Sequence, residues 1–553
     1  MIFISILILI VAMAIPSLKL QLSSILLTRI TSIILLYSGV LAFNTFYIQS
    51  IGSGIGIYSG LFHVTTISQQ LDIFILLIGS LILIPRPGIV EHIKTTTPLG
   101  SSALIHTEIL SCLGDKYSLI ILFSTLGSIL LLSSSDLLSV YLSIELQSFG
   151  VYILATLFKD SRAATSAGLK YFLLGGFSSC LILLGSGLVY FYTGLTNLDC
   201  IYSLISSSTN ESITQGLTLG IFIIFVGFLF KVSAAPLHSW APDVYDESPS
   251  IVTIWLTIMP KIAIFIFLLD FFIGSTSGSV LTSLATLKIG GYDALKTLLL
   301  ASSLFSLLIG TIVGLAQSKI KRLFAYSTIS HVGFMLLALA INSESSVESL
   351  IFYLIQYSIT NLNAFLIILA LGYLNFFNKF NSDTKLFRSG AYTNSKNIEN
   401  IDIKLISELK GQFMSNPLLS LGLTICLFSM AGVPPFIGFF SKQMVLYSSI
   451  QNGYYFMSLV GIIVSVISGS YYLKIVRILF TEPSLLTNKP VYLLNDKTKP
   501  FVNINENYSV SYYITSLHSF VISTLTLIIL LFIFKPSLLL NSTQLLSLSV
   551  FNC

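Results

Sequence analysis

Long apolar stretches without a single charged residue dominate this chain, for example residues 217–230 and 520–534. Asp, Glu, Lys and Arg make up only 9% of the residues, against about 25% in soluble domains, so a water-soluble enzyme is excluded. The many Phe and Tyr residues exclude a disordered chain, and the apolar stretches lack the alternating polarity of a β-barrel. The sequence therefore predicts an all-α polytopic membrane protein.

About 14 apolar segments approach or exceed the roughly 20 residues that a spanning helix needs. They are predicted near residues 1–18, 25–43, 70–84, 117–135, 137–158, 164–192, 215–239, 250–273, 294–317, 320–341, 348–373, 413–447, 455–480 and 514–535. The segment at 413–447 is too long for one straight span. The long polar stretches 85–116, 374–412 and 481–513 are predicted loops, of which 374–412 is the most loop-like.

The basic residues predict an orientation. With the loops numbered alternately, 21 of the 28 Lys and Arg residues fall on one side of the membrane and 3 on the other, and four lysines lie within helices. Because positive residues gather on the inner side, the rich side is predicted to be cytoplasm or matrix, with the N-terminus on the opposite side. The net charge of +5 is too weak to indicate nucleic-acid binding.

Five ionisable residues stand out among those inside predicted helices, namely Glu145, Lys170, Lys231, Lys261 and Lys442. Such groups cost about 2.5–3.5 kcal/mol each on insertion scales and usually mark a transport pathway or a proton relay. The alternative is snorkelling or static ion pairing, which suits Lys170 near its helix end equally well. Glu145, Lys231 and Lys261 lie too deep to snorkel easily, so we predict a functional role for them.

Proline interrupts two predicted helices beside a lysine. Pro236 follows Lys231, and Pro434 and Pro435 precede Lys442. Proline removes a backbone donor, and the freed carbonyl groups need other partners in a membrane. One interrupted helix in each half indicates an inverted-repeat transporter with its site at the breaks. The alternative is a simple proline kink.

His331 lies in the middle of a predicted helix among hydroxyl residues. A buried histidine can pass protons near neutral pH, although a neutral histidine bonded to a neighbouring helix explains the pattern equally well. The chain has no phosphate-binding loop, dinucleotide fingerprint, or haem or iron–sulfur cysteine pattern, and its five scattered cysteines lack zinc spacing. We therefore predict no cofactor or metal in this chain, and energy from an ion gradient or from partner subunits.

Three motifs, at residues 230–249, 320–333 and 430–442, resemble those of the antiporter-like membrane subunits of respiratory complex I. The Pro-Asp-Val-Tyr run that begins at Pro242, and lysine rather than glutamate at position 442, resemble the chain 2 branch of that family. The resemblance covers roughly residues 117–480. One departure is Asp246-Glu247, where a Glu-Gly pair is more usual.

The resemblance implies two inverted five-helix repeats in which the seventh and twelfth spanning helices are broken. It also implies four regions: three N-terminal helices with a loop (1–116), a first repeat (117–273), a second repeat that includes the 374–412 loop (274–480), and a polar loop with a C-terminal helix (481–553).

The function implied is that of a proton-translocating membrane-arm subunit, which couples electron transfer from NADH to ubiquinone with proton pumping. The implied proton path runs through Glu145, Lys231, Lys261, His331 and Lys442, with Lys170 in a secondary role. NAD, FMN, iron–sulfur clusters and ubiquinone would belong to partner subunits. The implied partners are chains 4, 4L, 5 and 6, accessory subunits and lipids such as cardiolipin. The implied location is the mitochondrial inner membrane, rather than a bacterial plasma membrane, with the N-terminus facing the intermembrane space.

Three alternatives come from other classes of protein. The same motifs suit a cation/proton antiporter subunit that works without complex I. A passive membrane scaffold would hold its charges in static pairs. A solute carrier would need a midplane pocket of aromatic and polar groups, whereas this sequence offers a spaced line of lysines.

Overall fold

The computed structural model describes residues 1–15, 24–45, 54–84, 101–158, 161–207, 211–273, 288–289, 292–387, 402–481 and 515–551. Nearly all regular structure in these ranges is helical. The helices are α1 (Ile2–Ala14), α2 (Ser24–Asn44), α3 (Thr66–Leu83), α4 (Ser101–Leu132), α5 (Leu137–Ala155), α6 (Arg162–Thr193), α7 (Leu198–Ser207), α8 (Glu211–Val232), α9 (Trp240–Glu247), α10 (Ser250–Ile273), α11 (Ala294–Leu315), α12 (Ile320–Ile341), α13 (Glu344–Phe387), α14 (Gln412–Ser415), α15 (Pro417–Ala431), α16 (Ile437–Gln451), α17 (Tyr455–Phe480), α18 (Ser516–Leu531) and α19 (Ser537–Phe551).

Short strands and turns complete the described chain. Two antiparallel hairpins join β1 (Ile55–Ile57) to β2 (Phe62–Val64) and β3 (Lys288–Ile289) to β4 (Tyr292–Asp293). Two 3₁₀ helices lie at Ile406–Leu409 and Phe532–Phe534.

Within the described ranges, eleven helices are long and apolar enough to cross a membrane. Shorter apolar helical stretches are α1 (Ile2–Ala14), the part of α4 at Lys116–Leu132, and α15 (Pro417–Ala431). The prediction of an all-α polytopic membrane protein is confirmed. The number of spans that cross the membrane and the inverted repeats stay predictions.

The segment at 413–447, predicted to be too long for one straight span, contains the two helices α15 and α16, which are separated at the predicted proline break. Other predicted boundaries are wrong. The helix in the segment predicted at 215–239 ends at Val232. Helix α13 continues to Phe387, into the predicted 374–412 loop, because residues 374–387 are polar but contain no Gly or Pro to stop the helix. Helix α4 likewise begins inside the predicted 85–116 loop. The short helices α7 and α19 were not predicted.

Three helices form the centre of the bundle. In the apolar stretches of α10, α12 and α13, 94% of the residues are buried inside the protein, whereas in those of α6 and α17 only 33% are buried. The central helices therefore pack almost wholly against protein, and α6 and α17 present most of their surface to the surroundings. Close approach depends on small residues: a Cβ at Gly310 of α11 would come 2.7 Å from the backbone nitrogen of Ser330 in α12.

A strap crosses one end of the bundle, and we use this name for residues 402–409. Leu405 in the strap pairs with Lys319 in an isolated β-bridge, the amide of Ile320 donates to the carbonyl of Lys404 at 3.0 Å, and the amide of Ile406 donates to the carbonyl of Ser318 at 3.1 Å. The strap therefore lies against the beginning of α12. The β1–β2 hairpin lies where α4 leads into α5, with Phe62 paired to Ser134.

Candidate functional site

The first helix break lies between α8 and α9, and Pro236 is inside it. Helix α8 ends at Val232, and Ser233 adopts the left-handed conformation with φ 64°. Its amide donates to the carbonyl of Phe230 at 3.0 Å. The indole nitrogen of Trp240 donates to the same carbonyl at 3.0 Å. The indole is thus a second donor to the Phe230 carbonyl, which the break leaves without its usual partner four residues along the helix.

Lys231 in the last turn of α8 forms an ion pair with Glu145 of α5. Its Nζ lies 3.1 Å from the Glu145 Oε1 and 3.3 Å from the Ser148 hydroxyl oxygen. The side chains are only 7% and 13% exposed. Removing one member of such a pair leaves an uncompensated buried charge, so each residue stabilises the charged form of the other.

Lys261 follows Pro260 inside α10 and is 1% exposed. Its Nζ has no hydrogen-bond partner among the described residues. It lies 5.7 Å from the ring centroid of Tyr245 and 5.9 Å from that of Tyr357. A cation is attracted to aromatic faces at these distances, but none of the described carboxylates pairs with Lys261 as Glu145 pairs with Lys231.

His331 in α12 lies between two tyrosine hydroxyls. Its Nδ1 is 2.7 Å from the Tyr353 hydroxyl oxygen on α13, and its Nε2 is 3.3 Å from the Tyr472 hydroxyl oxygen on α17. The ring centroids of His331 and Tyr357 are 5.9 Å apart. Tyr357 is therefore in ring contact with His331 and under the Lys261 ammonium, and it connects the two predicted site residues.

The second helix break separates α15 from α16, and Pro434 and Pro435 lie inside it. Helix α15 ends at Ala431, and Gly432 adopts the left-handed conformation with φ 85°. The amide of Gly432 donates to the carbonyl of Phe428 at 3.0 Å. Glycine suits this position because it has no Cβ to clash.

Lys442 in α16 turns back onto the end of α15. Its Nζ donates to the carbonyl oxygens of Met430 at 2.9 Å and Ala431 at 3.0 Å, and it lies 5.8 Å from the ring centroid of Phe334. The carboxyl end of a helix carries partial negative charge, so α15 supplies the counter-charge for the ammonium.

Lys170 is apart from these residues. Its side chain is 46% exposed and its Nζ lies 3.1 Å from the Asp243 carboxylate in α9, which also accepts a hydrogen bond from Arg322 of α12. Burial raises the pKa of Asp243, but the hydrogen bonds from Arg322 and Lys170 outweigh it, so the pKa lies below its ordinary value. Lys170 thus takes part in a surface ion-pair network.

Asp402, which the sequence did not single out, ties the strap to two central helices. Its Oδ2 accepts from the Ser250 amide at the start of α10 at 2.8 Å and from Lys321 of α12 at 2.6 Å. Burial raises its pKa, but the Lys321 ammonium and the hydrogen bonds from Ser250 outweigh it and lower the pKa. Asp402 therefore holds together the ends of the helices that carry Lys261 and His331.

Comparison with known proteins shows to which family this chain belongs. Residues 134–468 match the family described as "NADH:quinone oxidoreductase/Mrp antiporter, TM". The chain belongs to this family. The resemblance predicted from the three motifs is thereby confirmed. The individual roles of the site residues stay predictions.

Relatives and solved structures agree with this assignment. The chain is 48% identical over 544 residues to NADH-ubiquinone oxidoreductase chain 2 of Rhizopus oryzae, with 98% of each chain covered. It is 33% identical to NADH-quinone oxidoreductase subunit N of Pelagibacter ubique, with 91% of this chain and 89% of the relative covered. A chain of respiratory complex I from Thermus thermophilus with bound aureothin has a similar fold, with a TM-score of 0.67 at 23% identity over 98% of this chain and 99% of that one.

Proposed function

We propose that the chain is a proton-translocating membrane-arm subunit of respiratory complex I. Its relatives are named as a chain of NADH-ubiquinone oxidoreductase and a subunit of NADH-quinone oxidoreductase. The observation that carries the proposal is the buried pair of Glu145 and Lys231 beside a helix break. A closed pair is a state in which a lysine inside the membrane holds its proton. Opening the pair removes that support, so the pair can gate the release of a proton.

The proton path proposed from this gate follows the remaining site residues. An ammonium group in a low-dielectric site is less stable than in water, so Lys231 without Glu145 tends to give up its proton. Lys261 and His331 receive it in turn on the central helices, and Lys442 at the second break passes it to the far side. The force that opens the pair comes from partner subunits, which carry the electron transfer.

We also propose that the chain contains two inverted repeats and is divided into the four regions 1–116, 117–273, 274–480 and 481–553. The similarity of the breaks supports them, since each first half-helix ends with a left-handed residue shortly before the proline, Ser233 and Gly432 respectively.

The partners proposed are the other membrane-arm subunits, namely chains 4, 4L, 5 and 6 and accessory subunits, together with lipids such as cardiolipin. Support comes from the outer face of α5, where Leu138, Leu142, Phe149 and Ile153 are exposed on either side of Glu145. A charged pair at this depth is costly beside lipid, so a neighbouring subunit is the better cover. NAD, FMN, iron–sulfur clusters and ubiquinone are assigned to partner subunits, and the location to the mitochondrial inner membrane, with the N-terminus in the intermembrane space.

Replacing Lys231 tests the proposed function. In Lys231→Ala the assembled complex should form and oxidise NADH, yet pump far fewer protons per NADH oxidised into sealed vesicles. Lys410→Ala, which removes an exposed lysine, is the matched control and should pump normally. Normal pumping by Lys231→Ala would contradict the proposal.

The second candidate is an antiporter subunit that works without complex I, because the matched family also includes Mrp antiporters. Purification through an affinity tag on this chain distinguishes the two functions. Co-purification of a quinone-reducing NADH dehydrogenase supports the complex I subunit, and its absence from an intact preparation supports the antiporter.

A further inference from the structure

The two tyrosines at His331 belong to different helices and meet different ring nitrogens. Tyr353 and Tyr472 are both buried, at 0% and 1% exposure. Their hydroxyl oxygens lie 2.7 Å from Nδ1 and 3.3 Å from Nε2. A neutral imidazole has one nitrogen that donates and one that accepts, and a phenol hydroxyl can do either. The three side chains can therefore form one continuous hydrogen-bonded chain.

Tyr353 lies on the side of His331 that leads to Lys442. Its ring stacks on that of Phe334, with centroids 6.0 Å apart and an interplanar angle of 23°, and the Lys442 ammonium lies 5.8 Å from the centroid of the Phe334 ring. One turn further along α13, the Gln356 side chain accepts from the hydroxyl of Ser441, the neighbour of Lys442, at 3.3 Å. This stretch of α13 therefore connects His331 with the second break.

We propose that Tyr353 and Tyr472 are proton-relay partners of His331, with Tyr353 on the Lys442 side and Tyr472 at the opposite ring nitrogen. This inference rests on the proposed function and adds two residues to its path. Because a phenol hydroxyl can donate or accept, the two tyrosines suit either tautomer of His331.

The proton balance of this relay is simple. At rest Nδ1–H donates to the Tyr353 oxygen, and the Tyr472 hydroxyl donates to Nε2. In one transfer the Tyr472 proton moves to Nε2, the Nδ1 proton moves to the Tyr353 oxygen, and the former Tyr353 proton leaves toward Lys442. Tyr472 takes a new proton from the uptake side. Each group gains one proton and loses one, and reorientation of the ring and hydroxyls restores the starting pattern.

Tyr353→Phe tests the relay with little risk to folding, because it keeps the ring that stacks on Phe334. In the assembled complex we expect pumping per NADH oxidised to fall about tenfold or more, since proton transfer by a positioned group contributes at least that much. The slowed proton transfer should also raise the solvent deuterium isotope effect on pumping. A purely structural defect would lower the rate without changing the isotope effect.

Tyr202→Phe is the matched control, because it also removes a buried phenol hydroxyl, one that donates to the Phe271 carbonyl at 3.0 Å. It should leave both the pumping and the isotope effect as in the wild type. If Tyr353→Phe fails to assemble, Tyr472→Phe tests the relay in its place. We expect the same fall in pumping per NADH oxidised and the same rise in the isotope effect.

The outcomes separate this inference from the proposed function. If His331→Gln and Lys231→Ala stop pumping while Tyr353→Phe and Tyr472→Phe pump normally, the relay through the tyrosines is wrong and the function stands. If His331→Gln and Lys231→Ala also pump normally, the proposed function fails together with it.

Discussion

The two helix breaks have similar backbones, but the lysine beside each break has a different kind of partner. At the first break a carboxylate from another helix, Glu145, pairs with Lys231, and the Trp240 indole satisfies a backbone carbonyl. At the second break Lys442 itself bonds the carbonyl oxygens of Met430 and Ala431. The first lysine depends on a side chain that can move away, whereas the second depends on backbone that is part of its own helix pair. On the proposed proton path, this difference favours the first break as the gate and the second break as a fixed site.

The largest expected effect comes from Lys231→Arg and Lys442→Arg. Both keep the charge, but arginine holds its proton at least about a hundredfold more tightly than lysine, so proton transfer through either position should fall by at least that factor. Pumping by the assembled complex in vesicles is the measurement. Retained pumping in both variants would indicate a passive scaffold with static charges, and retained pumping only in Lys442→Arg would restrict the relay to the first break.

Glu145→Gln and Lys442→Met compare the stability of the breaks. Losing the carboxylate leaves the Lys231 charge buried and unpaired, which costs about 3–5 kcal/mol. Losing the second lysine leaves two carbonyl groups without their partner, which costs about 1–3 kcal/mol. Thermal inactivation of the purified complex should therefore shift further in Glu145→Gln. Equal shifts would mean that the two lysines are held equally strongly, contrary to the comparison.

Gly432→Ala and Ser233→Gly test the left-handed residues. Alanine at Gly432 is strained by about 1–2 kcal/mol, and its Cβ would lie 3.0 Å from the Lys442 Cδ, so this variant should lower both thermal stability and pumping. Ser233→Gly removes strain but adds freedom to the unfolded chain, and the net change should stay below about 1 kcal/mol. If Gly432→Ala proves as mild as Ser233→Gly, the position of Lys442 does not depend on this turn.

The smallest effect is expected outside the breaks, at Asp402. Its pKa is lowered in the folded chain, so its ion pair stabilises the fold above the ordinary carboxyl pKa of about 3.9 and loses that contribution as the pH falls through the folded pKa. The melting temperature of Asp402→Asn should therefore depend less on pH than that of the wild type below about pH 4. Identical pH dependence would show that the strap does not rely on this carboxylate.

Much of the fold and part of the site could be predicted from local sequence. Apolar runs set the positions of the spanning helices, and proline beside lysine marked both breaks. The lengths of α13 and α4 were underestimated because a polar stretch without Gly or Pro can continue a helix. The ten residues of α7 are too few for a periodic pattern to stand out.

Contacts between distant residues could not be predicted. Lys321 and Asp402 are 81 positions apart and Tyr472 and His331 are 141 apart, so only the folded bundle brings them together. Nothing in the sequence distinguishes Tyr353 or Tyr472 from the other tyrosines, of which the chain has 26 in all. The sequence also could not decide the role of Lys170, because its position near a helix end suited a surface ion pair and a proton relay equally well.

The near-complete burial of α10, α12 and α13 has a consequence for biogenesis. Until the outer helices close around them, Lys261 and His331 meet lipid, where polar groups are costly. An incompletely packed subunit therefore presents these groups to the bilayer, and its persistence depends on closing the bundle rather than on the hydrophobicity of each helix. The residues proposed to transfer protons therefore also distinguish a finished subunit from an unfinished one, which membrane proteases can degrade.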